Sequence, residues 1–131
     1  MITAFSTELP IDHIELYRAF LGHETDSSGT VVLHHGRVKR PGKKIANFSK
    51  VELKPLVPDI DSRLERLARE ATEKFGLNQA LLVHRLGTID GGDSVLLAIV
   101  SAKSRREAFE ACSWLVDEVK KEEFIELVEL P

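Results

Sequence analysis

An α+β fold, with an antiparallel or mixed sheet and helices packed on one face, is predicted by three observations. Apolar residues recur at helical spacing from Ile60 to Phe75, β-branched or alternating runs come in pairs, and Gly- or Pro-rich turns separate the runs. Paired strands between helices suit a layered α+β arrangement rather than a doubly wound one. The order they predict is β-α-β-β-α-β-β-α-β.

Thr3 to Leu9 is read as a short strand. Pro10 then suits a first helical turn, and Ile14, Tyr17 and Leu21 share a face before Gly22 ends the helix. His23 to Ser28 is a polar loop. Gly29 to Val38 and Ile45 to Leu53 read as two strands of a hairpin joined through KRPGKK, whose basic tip also guards the edge against aggregation. Pro55 and Pro58 break the chain, and Ile60, Leu64, Leu67, Ala68, Ala71 and Phe75 mark a second helix that Gly76 caps. Ala80 to Leu86 and Asp93 to Ala102 read as buried strands of a second hairpin, with GTIDGGD as the reversal. Phe109, Cys112, Val116 and Val119 mark the inner face of a third helix, and Phe124 to Leu130 closes as a strand.

A chain of 131 residues, 43% hydrophobic and 30% charged, is expected to form one domain over 1–131 with a sizeable core. The net charge of -3 argues against general nucleic-acid binding. Charge is nevertheless uneven: Arg37, Lys39, Arg40, Lys43 and Lys44 lie close together, while Asp117, Glu118, Glu122, Glu123, Glu126 and Glu129 crowd the other end. The apolar run Val95 to Val100 is too short to span a bilayer, and the opening MITAFSTELP lacks the pattern of a signal peptide. With Cys112 as the single cysteine, the expected location is a reducing cytoplasm.

No G-x-G-x-x-G follows a strand and no phosphate-binding G-x-x-x-x-G-K-[ST] occurs, so nucleotide hydrolysis is not expected. His34 and His35 are neighbours on a strand and point to opposite faces, with His13 and His23 remote, so no metal site is expected. Cys112 lies on the apolar stripe and reads as core, and Trp114 and Phe124 read as packing or interface residues. Basic groups remain. Ser104 and Glu107 form an S-x-x-E capping box, and Lys103, Arg105 and Arg106 beside it either solvate the helix start or hold an anion there. Lys120 and Lys121 at the other end either complement the helix dipole or place an ammonium for charge stabilisation and proton transfer.

Three segments, GTVVLHHGRVK with its basic turn, LLVHRLGTIDGGD and SAKSRREAFEACSWLVDEVKK, together resemble the large, catalytic subunit of molybdopterin synthase. The resemblance runs from about Gly29 to Lys121, with V-H-R-L-G at 83–87, Gly92-Asp93 and R-x-E-A-F-E-A at 105–111 as its most specific pieces. It implies an α/β-hammerhead-like fold with no cofactor of its own. It also implies sulfur transfer from the C-terminal thiocarboxylate of a small ubiquitin-like sulfur-carrier subunit to cyclic pyranopterin monophosphate, in molybdenum cofactor biosynthesis. The implied assembly is a homodimer flanked by two small subunits, a heterotetramer.

Carried over by position, the resemblance makes Lys120 the catalytic candidate. It makes Arg37, Val38, Lys39, Ser104 and Arg105 the candidates for holding substrate phosphate. The chain has Ser104-Arg105 where the family has His-Arg, and Lys39 where it has arginine; lysine lacks the bidentate fork. A second family lysine falls near Leu127, within EEFIELVELP. That departure leaves open a noncatalytic relative that keeps the fold and dimer and binds the small subunit or an anionic ligand.

Overall fold

The computed structural model describes residues 1–121 and 123–131. Along the chain run β1 (Ile2–Thr7), α1 (His13–Gly22), β2 (Thr30–Arg37), β3 (Lys50–Pro55) and α2 (Ile60–Phe75). They are followed by β4 (Gln79–Arg85), β5 (Gly87–Asp90), β6 (Ser94–Ala102), α3 (Arg105–Lys121) and β7 (Ile125–Leu130). The α+β class holds, in two sheets: a four-stranded one ordered β1-β4-β6-β2 and a three-stranded one ordered β5-β3-β7. Among the described residues only β1 and β4 pair in parallel.

The expected hairpin of β2 with β3 does not form. β2 pairs with β6, from Thr30 opposite Ala102 to Arg37 opposite Ser94, whereas β3 pairs with β5 and β7. Patterning explains the separation. β2 carries apolar side chains to both faces, Val31 to one core and Val32 to another, as a strand covered on both sides must. β3 alternates, burying Val51 and Leu53 while Lys50 stays exposed, as suits a sheet with one buried face. The expected second hairpin is present, since β4 and β6 pair antiparallel from Gln79 opposite Ser101. Its reversal, however, contains β5, whose Ile89 is buried opposite Val51. One apolar residue among glycines and aspartates gave too little alternation to be read as a strand.

Helices cover both faces of the larger sheet rather than one. α2 and α3 pack on Leu82, Ala98 and Val100, and Phe20 of α1 packs on Leu81, Val83, Leu97 and Ile99. The expected inner face of α1 is its outer one: Ile14, Tyr17 and Leu21 are exposed, and Leu16 and Phe20 point inward. Asp12 caps the helix by accepting the Glu15 N–H at 3.0 Å, so it begins at His13 and not at Pro10. α2 matches its expected face, and Gly76 ends it at φ 65 with its N–H on the Thr72 carbonyl. In α3, Cys112 and Val119 of the expected stripe are buried, but Phe109 is 61% exposed, and Ala108, Ala111 and Leu115 complete the inner face. Small alanines let that helix approach the sheet closely, and size alone misdirected the reading towards the phenylalanine.

The basic segment after β2 is tied to the final strand. The Glu129 carboxylate accepts main-chain N–H groups from Lys43 at 2.7 Å, Lys44 at 2.8 Å and Ile45 at 2.7 Å. Those bonds, led by the one from Ile45, hold its pKa below the ordinary glutamate value. Arg40 braces the same loop, donating to the Phe48 carbonyl at 2.9 Å and the Ser49 carbonyl at 3.1 Å. A carboxylate with a lowered folded pKa stabilises above its unfolded value and loses that contribution as pH falls through the folded one. Amide-exchange protection at Lys43, Lys44 and Ile45 is therefore expected to hold at neutral pH and decline on acidification below the ordinary glutamate range. Glu129→Ala should remove it at every pH; equal protection in the variant would show that the carboxylate does not order the loop.

Candidate functional site

α3 returns antiparallel to β6, so it begins beside the Thr30 end of β2 and finishes beside the Arg37 end. Lys120, in its last turn, is exposed and makes no hydrogen bond or ion pair with another described residue, whereas Lys121 pairs with Glu118 at 3.2 Å. The Lys120 charge is felt by His34 on β2. Burial first, and the Lys120 charge second, push the His34 pKa below its usual value, so the imidazole beside the ammonium is neutral at physiological pH. Gly36 leaves room for that ring: a Cβ there would stand 3.2 Å from His34 Nε2. His34 was not singled out as functional by the sequence, because only the fold lays the end of α3 across β2.

Past the irregularity at Gly36/Arg37, Val38 is buried, its N–H on the Asp93 carbonyl at 2.9 Å and its carbonyl accepting from Gly92 N–H at 2.7 Å. With Val38 pinned as a core residue, Lys39 is left exposed beside it. Arg37 turns to the other side, donating from Nε to the Gly92 carbonyl at 3.0 Å. There it lines a cleft of about 410 Å³ with His13, His35 and Arg85. His13 is not remote: its ring stacks on His35 with centroids 4.3 Å apart. β2 therefore sends His34 and His35 to opposite faces, as their spacing predicted.

Ser104 and Arg105 stand at the opposite end of α3 from Lys120. The Ser104 hydroxyl donates to the Glu107 carboxylate, completing an S-x-x-E contact through side chains, and that bond chiefly lowers the Glu107 pKa. Arg105 is exposed. Fifteen residues at 1.5 Å rise put it about 22 Å from Lys120 along the helix axis. One chain thus brings together Lys120, His34 and the strand end carrying Lys39, and keeps Ser104 and Arg105 apart from them.

Between the two ends lies a groove of about 360 Å³ along the unpaired edge of β2, lined by Val32, Leu33, His34, Phe109, Cys112 and Val116. Leu33 and Phe109 are exposed there. Burial pushes the Cys112 thiol up to about 11, so it stays protonated and serves as packing. Trp114 meets Phe75 edge-on at 6.1 Å, again as packing. Leu127, at the expected place of a second lysine, is 48% exposed on β7 opposite Leu53. Glu123 and Glu126 are exposed near it, and Glu122 lies outside the described residues. Among the described residues no group of three or more metal-ligating side chains occurs, and no helix is long and apolar enough to cross a membrane.

Residues 6–122 match the family model described as MoaE protein. The chain is 39% identical over 104 residues to a molybdopterin synthase catalytic subunit of Pyrococcus abyssi, covering 74% of this chain and 65% of that one. It is 38% identical over 60 residues to the Caulobacter vibrioides subunit of the same name, covering 46% and 40% respectively. The chain therefore spans about two-thirds or less of these relatives' lengths. Among solved structures, molybdopterin synthase from Staphylococcus aureus superposes with a TM-score of 0.85 at 25% identity, over 97% of this chain and 90% of that one. A complex of subunits 1 and 2 of molybdopterin-converting factor from Helicobacter pylori shares the fold, with a TM-score of 0.71 at 18% identity over 91% and 77%.

Proposed function

Because this chain belongs to the MoaE protein family, we propose that it is the catalytic subunit of a cytoplasmic molybdopterin synthase. In this reading it transfers sulfur from the C-terminal thiocarboxylate of a small ubiquitin-like subunit to cyclic pyranopterin monophosphate. The observation that carries the reading is the Lys120 ammonium, exposed, without an ion-pair partner among the described residues, and set against a neutral imidazole beside a basic strand end. An ammonium so placed stabilises the negative charge that develops when a thiocarboxylate is attacked or released, and can hand on a proton. Lys39 adds positive charge for the substrate phosphate. The partner brings the sulfur, so the protonated Cys112 has no part in the chemistry.

The distance between Arg105 and Lys120 is resolved by a second copy. Cys112 and Ser113 stand midway between them, in the middle of the apolar groove. A two-fold axis there packs groove on groove and exchanges helix ends, so Ser104 and Arg105 of one protomer reach Lys120 and Lys39 of the other. The proposed enzyme is a homodimer with two shared sites, flanked by two small subunits in a heterotetramer.

Incubating the protein with thiocarboxylated small subunit and cyclic pyranopterin monophosphate should yield molybdopterin. Lys120→Ala should lower the rate by roughly 10²-fold or more with the dimer intact. Unchanged turnover would remove Lys120 from the mechanism. The exposed Leu127 favours a second reading, a noncatalytic relative that still binds the small subunit. Partner binding without product from the wild-type chain selects that reading.

A further inference from the structure

The cleft on the other face of β2 is lined by His13 at the start of α1, His35 and Arg37 on β2, Arg85 at the end of β4, and Asp93 and Ser94 at the start of β6. Four of these six side chains carry or can acquire positive charge, and they come from three separate segments, α1, β2 and β4. Arg85 is half-buried, yet its guanidinium makes no ion pair among the described residues; its Nε reaches only the adjacent Leu86 carbonyl, at 3.3 Å. Arg37 likewise has only the Gly92 carbonyl. The one carboxylate present is tied into its own turn, Asp93 Oδ2 accepting the Asp90 N–H at 2.9 Å. Withdrawing a guanidinium from water without a counter-charge is costly, so the cleft is set for an anion to enter.

The histidines line the same cleft. Their rings stack at 4.3 Å, and His35 Nε2 is fixed at 2.5 Å from Ser94 Oγ. Burial first, and the neighbouring His13, Arg37 and His34 after it, hold the His35 pKa below its ordinary value, so this ring offers hydrogen bonds rather than charge. Gly92 lets Arg37 lie close: its φ is 87, and a Cβ there would stand 3.1 Å from Arg37 Nη2. We propose that this cleft is a second anion site, on the opposite sheet face from Lys120, that takes the phosphate group of a small ligand between Arg37, Arg85 and the His13–His35 pair. Two guanidiniums with hydrogen-bonding imidazoles match a tetrahedral oxyanion better than a planar carboxylate, which a single guanidinium satisfies.

Titration of the full chain with inorganic phosphate, followed by the ring resonances of His13 and His35 and by calorimetry, tests the site. Phosphate should shift both rings; Arg85→Gln should weaken binding about tenfold, and Lys120→Ala should leave the Kd unchanged. Repeating the titration with glycerol 2-phosphate separates the two sources: a tighter ester assigns a phosphorylated ligand, a tighter free ion assigns inorganic phosphate, and both support the site. If Arg85→Gln does not fold, His13→Ala, at the first position of a surface helix, carries the test with a several-fold loss. No shift at about 10 mM phosphate, or binding lost in Lys120→Ala but kept in Arg85→Gln, overturns the proposal.

Discussion

Chains carrying Arg105→Ala and chains carrying Lys120→Ala, each inactive alone, should regain about a quarter of the wild-type sites when mixed in equal amounts and re-equilibrated, because half of the dimers are then mixed. In a mixed dimer one shared site inherits both substitutions and the other inherits neither. Arg105 and Lys120 occupy the first and penultimate positions of α3, so no bending of one protomer brings them together. The measurement is molybdopterin formation before and after mixing. A site built within one chain gives no recovery, and that result would dismiss the shared arrangement while leaving Lys120 to be judged by its own variant.

If the proposed groove-on-groove dimer forms, Phe109→Glu should dissociate it and lower turnover by roughly 10²-fold at micromolar protein, although the residue touches no predicted catalytic group. Phe109 is 61% exposed, so the fold of the protomer does not depend on it. A two-fold contact counts every substitution twice: two buried aromatic side chains at about 1.5–3 kcal/mol each are lost, and two carboxylates must be desolvated in their place. Sedimentation reads the change in mass, and thermal unfolding of the isolated protomer should be little altered. A dimer that persists in the variant would move the interface away from the groove.

Long periodic elements were legible in the sequence because their period is set by their own residues. α2 needs only Ile60, Leu64, Leu67, Ala68 and Ala71 on one side and Gly76 at the end, and all six do what their spacing implied. Strand partners were not legible in the same way. β2 and β3 are adjacent in sequence, and nothing local says that the first belongs with β6 and the second with β7; the choice rests on whether one or both faces of each strand are covered. The phase of α1 was lost for a related reason: apolar residues lie on both of its sides, and the sheet surface that receives Phe20 and Leu16 decides which side turns inward. The family resemblance picked out the basic residues, but their grouping needed the fold. The Lys120 charge acting on His34, Arg37 and Arg85 lining one cleft, and His13 stacked on His35 each join elements far apart in the chain, where spacing is silent.

The parallel pairing of β1 with β4 carries a consequence for how the protein is made. β1 joins the sheet by matching Ile2 to Ala80 and Thr7 to Arg85, and the Ala80 N–H reaches the Met1 carbonyl at 3.0 Å. At ribosomal speeds of about 5–20 residues per second, β1 waits roughly 4–16 seconds after synthesis before its neighbour exists. Until β4 appears, β1 and α1 have only partners nearer in the chain: Ser6 bonded through its N–H and hydroxyl to Asp61 of α2, and Phe5 in one apolar cluster with Phe20 and Val31. Their brevity, six and ten residues, limits premature association, and β1 is the first strand whose partner is complete, at Arg85, ahead of β5 for β3 and β6 for β2.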